Sequence, residues 1–427
     1  MYTLYSVFLF FLRLAYGGLA IFDPKVKRGI EGRKTLFLEI EKYYLTISPL
    51  RKRVLIHVSS FGELEQAKPV IAALKGQYPD VHIHLTFFSP SGYDNAINTY
   101  REPDIITYLP FDSRSNVEHF LDIAKPDLVL FVRYDLWHNF VHEIHDRNIP
   151  MLLFSATFDP TLRKYFPLIR GLYRKTYSFV NTIYTISEAD KTRLEQFAVH
   201  AKKNIAAGDT RCDQVIARKK LIEESSENLL PVNFLQKKSS ENLKIFVAGS
   251  TWENDEKFII PVVKELIEKN DKLLTFIAPH EIPSSHVSDL MMQFSGLAIQ
   301  LSEIENYKDE KIIIIDSIGK LFNVYQYASF AYIGGGFGSG THNILEPAVW
   351  GAPSIVGPNH KHSKEIGALI GIGGAIEIRT GDQFEDALLQ WLDNDMSRTL
   401  ASVASKNYVY SSQGATIKIL EGIKELL

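Results

Sequence analysis

Apolar residues in this chain fall into short runs separated by segments of helical spacing. Val54 to Val58, Val81 to Phe88, Asp127 to Val132, Met151 to Ser155 and Thr182 to Ile186 read as strands, with helix candidates between them. Such alternation predicts a parallel sheet wrapped by helices. A polar, charged passage from Lys219 to Asn242 interrupts it and reads as an interdomain connection. The pattern then resumes: Lys244 to Ala248, Leu273 to Ala278, Ile312 to Asp316, Phe330 to Ile333 and Ser354 to Val356 are strand-like. Two similar α/β halves follow. From Gln383 to Leu427 the spacing is helical, and the last segment is expected to pack back on the first domain.

Length supports this division, because 427 residues exceed one ordinary core and the chain is 45% hydrophobic. The single Cys212 excludes an intrachain disulfide framework and a cysteine zinc cluster, and it fits a reducing compartment. Net charge is -3 overall, yet residues 1–60 carry ten Lys/Arg against four Asp/Glu. That basic end is also apolar. Leu4 to Phe22 is close to the roughly 20 residues that a spanning helix needs, although Arg13 and Gly17-Gly18 interrupt it. Lys25, Lys27, Arg28, Arg33 and Lys34 follow directly, a pattern suited to an anchor, inserted or lying in the interface, at an anionic cytoplasmic leaflet; a buried first helix of a soluble domain is the alternative. No basic stripe interleaved with aromatics marks a nucleic-acid binder.

Candidate chemistry gathers where predicted strands end. Tyr332 to Pro358 joins a glycine-rich loop, Gly334 to Gly340, to a predicted helix, Asn343 to Trp350, whose start suits an anion. Glu346, a turn inside, is placed to accept hydrogen bonds from ribose; a glycine turn before a core helix is the alternative. The loop does not match a dinucleotide fingerprint, since Ser339 or Thr341 stands where the third glycine belongs, and P-loop Lys-Ser/Thr is missing. His57 to Glu63 lies where the first strand meets its helix. There Glu63 is either a general base, if its surroundings raise its basicity, or an acid that favours the helix dipole. Arg133 and Asp135, two apart after another strand, would share one face of an extended chain, holding an anionic substrate or pairing with each other. Arg211, in Gly208 to Asp213, is suited to a carboxylate or phosphate across an interdomain cleft. Ala248 to Thr251, Ala278 to His280 and Asp316 to Lys320 end strands of the second half and could line one nucleotide pocket with the glycine loop. His342, His360 and His362 lack HExxH or cysteine partners, so hydrogen-bonding or phosphate-facing roles are expected of them rather than metal ligation.

In this order the motifs resemble those of the Kdo transferases, bacterial inner-membrane enzymes that add 3-deoxy-D-manno-octulosonic acid (Kdo) from CMP-Kdo to a lipid A precursor. Ser59 to Glu63 is similar to the family's Ser-Val-Gly-Glu, which puts Glu63 in the position of the proposed base. Arg133 to Trp137 is similar to Glu-Thr-Glu-Leu-Trp, with Asp135 for the second acid and Arg133 for the first. Arg211 takes the lysine position of Gly-Asn-Leu-Lys-Phe-Asp, and Lys320 takes the glutamate position of Asp-Thr-Met-Gly-Glu-Leu. Pro279-His280 is similar to Pro-Arg-His without its arginine, and Gly340 to Pro347 matches Gly-Gly-His-Asn-Pro-Leu-Glu-Pro. The resemblance implies the GT-B fold, two Rossmann-like domains facing a cleft, and inverting transfer without a metal or other cofactor. It implies a membrane anchor and basic collar over residues 1–34, an acceptor domain over 35–205 and a CMP-sugar domain over 206–410 with a linker-like insert at 218–243. Residues 411–427 would form a returning C-terminal helix.

By the same resemblance Glu63, Asp135 and Arg211 carry the chemistry, while Ser60, Gly62 and Arg133 face the acceptor or an anion. The nucleotide would lie against Ser250, Thr251, Pro279, His280, Ile318, Gly319, Lys320, Gly340, His342, Asn343, Ile344, Leu345 and Glu346. The implied partners are CMP-Kdo, the lipid A precursor and inner-membrane lipids, at the cytoplasmic face. A GT-B enzyme using a UDP-sugar, a sugar-nucleotide epimerase and a noncatalytic nucleotide-binding protein are the competing readings.

Overall fold

A strand buried on both faces requires a nearly unbroken apolar run, and Arg53–Val58 (β1) provides one at the centre of the first sheet. The computed structural model describes residues 5, 9, 17–157, 166–196, 201, 203–225, 228–338, 340–361 and 363–427. Beside β1 stand His82–Phe87 (β2), Ile105–Tyr108 (β3), Leu128–Val132 (β4), Met151–Ala156 (β5), Thr182–Thr185 (β6) and Lys203–Ala206 (β7). They pair in parallel in the order β3-β2-β1-β4-β5-β6-β7. Val54, Ile56 and Val58 point into one core layer with Leu64, Ile71 and Leu74 of the helix Phe61–Gln77, and Leu55 points into the other with Phe131 and Phe140.

The second sheet repeats this design with Lys244–Thr251 (β8), Leu273–Pro279 (β9), Ala298–Gln300 (β10), Ile312–Ile314 (β11), Phe330–Ile333 (β12), Ser354–Val356 (β13) and Ala375–Glu377 (β14). Its order is β10-β11-β9-β8-β12-β13-β14, again parallel throughout. In each sheet the first strand lies at a switch point, β1 between β2 and β4, and β8 between β9 and β12. Crevices at the carboxyl ends of such strands are where open α/β sheets bind ligands. Every strand expected from the hydrophobic pattern is present. The pattern missed β3, β10 and β14 and marked β7 only as a strand-like Ile205 to Ala207; all four are short strands at the sheet edges, where half-solvated positions blur the apolar run.

The chain divides into unit 1, Met1–Gln214 with Gln413–Leu427, and unit 2, Val215–Ser412. Lys219 to Asn242 is therefore no open connector. It contains the last six residues of the helix Thr210–Glu224 and all of Val232–Ser240, and Leu230 and Phe234 are buried in unit 2. The division falls inside the helix Thr210–Glu224, nine residues beyond the expected boundary at 205/206, because a continuous helix replaces the loop that polarity suggested. Beyond Ser412 the chain returns to unit 1, where the helix Ala415–Lys424 buries Ile419 and Ile423 beside Val54 and Ile71. Asp213 holds the start of that helix, accepting from the backbone N–H of Gly414 at 2.6 Å and of Thr416 at 2.7 Å.

Most of the apolar stretch Leu4 to Phe22, Arg13 included, lies outside the described residues, as do Ser339 and His362. Among the described residues no helix is long and apolar enough to cross a membrane. The basic collar that follows comprises the helix Pro24–Glu31, capped by Asp23, and Arg33, whose guanidinium is buried against the carbonyls of Leu109, Gly29 and Phe88.

Candidate active site

Glu63 sits in the first turn of the helix that follows β1. Ser60 caps that helix with its hydroxyl on the Glu63 N–H, and the Glu63 carboxylate folds back to accept the N–H of Ser59. Gly62 leaves this turn open, since a Cβ there would meet only the Ser60 hydroxyl at 3.9 Å. Only 3% of Glu63 is exposed. Burial pushes its carboxyl up to about 7; the Ser59 N–H works against this, the nearby Asp135 adds to it, and His57 and Arg133 oppose it. The helix-dipole reading alone would leave a fully ionised acid. A carboxyl balanced near neutrality is instead suited to take up a proton from a hydroxyl.

Asp135 follows β4, the strand next to β1. One carboxylate oxygen accepts from His57 Nε2 at 3.1 Å, from the Ser59 hydroxyl and from Trp137 Nε1 at 3.2 Å. A carboxylate can only accept, so His57 donates from Nε2, and its Nδ1 lies 3.0 Å from the Thr86 hydroxyl. His57 was not singled out as a site residue, although it stands in the same run as Glu63. Its position inside a buried strand made it indistinguishable from a core histidine until β2 and the turn after β4 were placed around it.

Two expectations for this region change. Arg133 and Asp135 do not lie on one face of an extended chain: β4 ends at Val132, and Arg133 takes a left-handed conformation with φ 65°. The Asp135 carboxylate is taken up by His57, Ser59 and Trp137. Arg133 keeps its guanidinium 5.6 Å from the Tyr134 ring, and its buried Nε has no hydrogen-bond partner among the described residues. Arg211, expected to reach for a substrate, forms a fork with Asp209 two residues earlier, Nη2 at 2.7 Å. Its neighbour Thr210 ties the turn to the Glu63 helix by donating to the Gln66 carbonyl at 2.7 Å.

In unit 2 the groups converge on the ends of β8, β9 and β12. At Ser250 the register of β8 shifts and φ turns to 54°, a bulge that redirects the strand end, and the Thr251 hydroxyl donates to buried Glu256 at 2.8 Å. Fully buried Asp255 accepts from the N–H groups of Trp252 and Gly335 and from the Tyr332 hydroxyl, at 2.9, 2.8 and 2.7 Å. Trp252, His280 and His342 then form a stack of rings, with centroids 4.3 Å apart from Trp252 to His280 and 4.4 Å from His280 to His342. Trp252 Nε1 donates to His342 Nε2 at 3.1 Å, which requires a lone pair there. Burial, reinforced by His280, keeps His342 neutral, its basicity lowered to about 4. Trp252 was another residue that sequence reasoning passed over, a lone aromatic after Ala-Gly-Ser-Thr with no spacing to mark it.

The glycine loop is shaped more by the protein than by a ligand. A Cβ on Gly334 would lie 2.0 Å from the Ser250 carbonyl oxygen, and one on Gly336 would lie 2.6 Å from the Gly357 backbone. The helix beyond begins at Leu345, not Asn343, and runs only to Trp350. Asn343 caps it from outside by accepting the Leu345 N–H at 3.1 Å. Ile344 and Leu345 are buried core residues, so their side chains are unavailable to a nucleotide. Glu346 remains partly exposed with Arg218 at 3.8 Å, while Ile318 to Lys320 form an exposed turn with Gly319 at φ 84°. Pro279 closes β9, and Gly340 (φ 115°) turns the chain towards His342. His360 bonds Glu377 at 2.8 Å, and no cluster of metal-ligating side chains occurs among the described residues.

Residues 34–214 match the family described as 3-deoxy-D-manno-octulosonic-acid transferase (kdotransferase). A 3-deoxy-D-manno-octulosonic acid transferase of Haemophilus influenzae is 25% identical over 385 residues, covering 89% of this chain and 88% of that one. One from Aquifex aeolicus is 25% identical over 308 residues, 72% of this chain and 76% of its own. Among solved structures, the UDP-GlcNAc 2-epimerase of Neisseria meningitidis bound to UDP-GlcNAc aligns with a TM-score of 0.60 at 15% identity, over 87% of this chain and all of that one. A glycosyltransferase of Rickettsia africae aligns at 0.52 and 13% identity, over 88% and 99%. At such identities these structures speak for the fold, two parallel α/β domains of the GT-B kind.

Proposed function

We propose, from the premise that this chain is a homologue of the Kdo transferases, that it transfers Kdo from CMP-Kdo to a lipid A precursor such as lipid IVA. The observation that carries the reading is Glu63, a buried carboxyl poised at about 7 at the carboxyl end of the central strand. In the proposed inverting displacement Glu63 takes the proton from an acceptor sugar hydroxyl as its oxygen attacks the anomeric carbon of Kdo, and CMP leaves with the electron pair of the broken bond. Asp135, held by His57, Ser59 and Trp137, keeps a second negative charge beside Glu63 and so sustains its basicity. Arg133 and Arg211 would offset charge on the Kdo carboxylate or the leaving phosphate, so that no metal is required. The ring stack of Trp252, His280 and His342, with Glu346, would hold CMP. The apolar, basic N-terminus would keep the enzyme at the cytoplasmic face of the inner membrane.

The test is to incubate the purified protein in detergent with a tetraacylated lipid A precursor and CMP-Kdo generated in situ, beside Glu63→Ala, and to follow acceptor mass. Gain in Kdo steps by the wild type alone supports both donor and base. Transfer from a UDP-sugar, with none from CMP-Kdo, would retain the fold and reject the donor.

A further inference from the structure

Next to the acid cluster of unit 1 lies a cavity of about 300 Å³ whose wall includes Tyr5, Leu9, Leu136, Trp137, Leu172 and Tyr173, with Asp135 at its edge. It is about twice the ~150 Å³ that accommodates benzene in an engineered apolar cavity. The Asp135 carboxylate and the Thr176 and Tyr5 hydroxyls are spent on the protein, and Tyr134 and Tyr177 complete the aromatic lining. Asp135 is bonded to His57, Ser59 and Trp137 Nε1, and the Thr176 hydroxyl lies 2.8 Å from the Leu172 carbonyl and 2.6 Å from His138 Nδ1. Tyr5 directs its hydroxyl away to Asp112 at 2.8 Å and sets its ring edge-on against His138. Methylenes would find aromatic and aliphatic surface here, in Leu9, Leu136, Leu172 and the rings of Tyr5, Trp137 and Tyr173. Two wall residues, Tyr5 and Leu9, belong to the apolar N-terminal stretch, so the wall joins the membrane-directed end of the chain to the carboxylates of the site.

We propose that this cavity seats the first methylenes of one acyl chain of the lipid acceptor, so that the N-terminal segment forms part of the acceptor site as well as an anchor. The proposal rests on the reading of unit 1 as the acceptor side. The seated chain fixes the acceptor's sugar relative to Asp135 and Glu63, which makes acylation a condition of tight binding rather than only of membrane residence.

The experiment compares tetraacylated and fully deacylated acceptors with the wild type, Leu172→Trp, which fills the cavity, and Tyr5→Ala, which opens its wall. For both variants KM for the acylated acceptor is expected to rise about tenfold, equivalent to burial of a few methylenes. KM for the deacylated acceptor and for CMP-Kdo should stay at the wild-type values. An unchanged KM for the acylated acceptor, or a parallel rise for both acceptors, overturns the proposal. Should the wild type transfer no Kdo at all, the donor reading fails but the cavity is still testable. A monoacyl glucosamine phosphate with a brominated chain should quench wild-type fluorescence, and the quenching should vanish in Trp137→Phe. No quenching, or quenching that survives in Trp137→Phe, rejects the cavity as an acyl site.

Discussion

Glu63 shows how one residue is given a function by its surroundings. Replacing it by Gln preserves shape and hydrogen-bonding size, and kcat is expected to fall by about 100-fold or more, measured by acceptor mass gain at pH 8. Because the folded carboxyl titrates near 7 rather than at the usual 4.5, the kcat/KM profile of the wild type should rise through that range as the base loses its proton. The same shift has an opposite face for stability. The folded state holds this proton more tightly than the unfolded chain, so Glu63 costs stability increasingly as pH rises from 4.5 to 7. Glu63→Gln should therefore melt higher than the wild type at pH 8 and lose that advantage at pH 4. In unit 2, Trp252→Phe keeps an aromatic ring over His280 but removes the N–H that His342 accepts. A several-fold rise in donor KM with little change in kcat is the expected result.

At the level of elements, a buried carboxylate, Asp255, and a half-buried one, Asp213, hold chain segments through backbone N–H groups. Asp255 joins the start of the helix Glu253–Lys269, β12 and the glycine loop through three bonds. Asp255→Ala leaves those donors unpaired, and unit 2 should lose about 3 kcal/mol or more in urea unfolding. Asp213 performs a smaller task as the cap of the helix Ala415–Lys424, and Asp213→Ala should cost unit 1 about 1 kcal/mol. Helices and central strands were legible in the apolar pattern, since burial on both faces demands it. The role of Asp213 was not, because its partners Gly414 and Thr416 lie some two hundred positions further along the chain.

Over the whole molecule, the chain completes most of unit 1, builds unit 2 and returns, so the stability of unit 1 depends on its last residues. Ile419→Ala or Ile423→Ala, each in a fully buried position, should cost about 3 kcal/mol. Unit 1 also carries an acid-sensitive core. His82 and His84 are buried, with their basicity lowered to about 4 and about 3 from 6.5, and desolvation is the main cause in both. Each stays neutral when folded, while the unfolded chain takes up protons below 6.5, so their contribution is whole above that pH and drains away as pH falls towards the folded values. Thermal melts of the wild type and His84→Asn should converge between pH 7 and pH 4.

The chain's own pattern determined two parallel α/β domains, the order of their central strands along the sequence, and the strand ends at which polar motifs collect. Those follow from period and burial, which are local properties. Tertiary structure alone decided which strand ends become neighbours, because switch points arise from sheet order and not from sequence order. That placement puts Asp135 against His57 and Ser59, raises Glu63 by desolvation and lays His280 against both Trp252 and His342. It also gave expected ligand groups internal partners, with Arg211 forked on Asp209 and the glycines against neighbouring backbone. A motif specifies which groups are available; only packing decides which of them the protein consumes and which it leaves for a substrate.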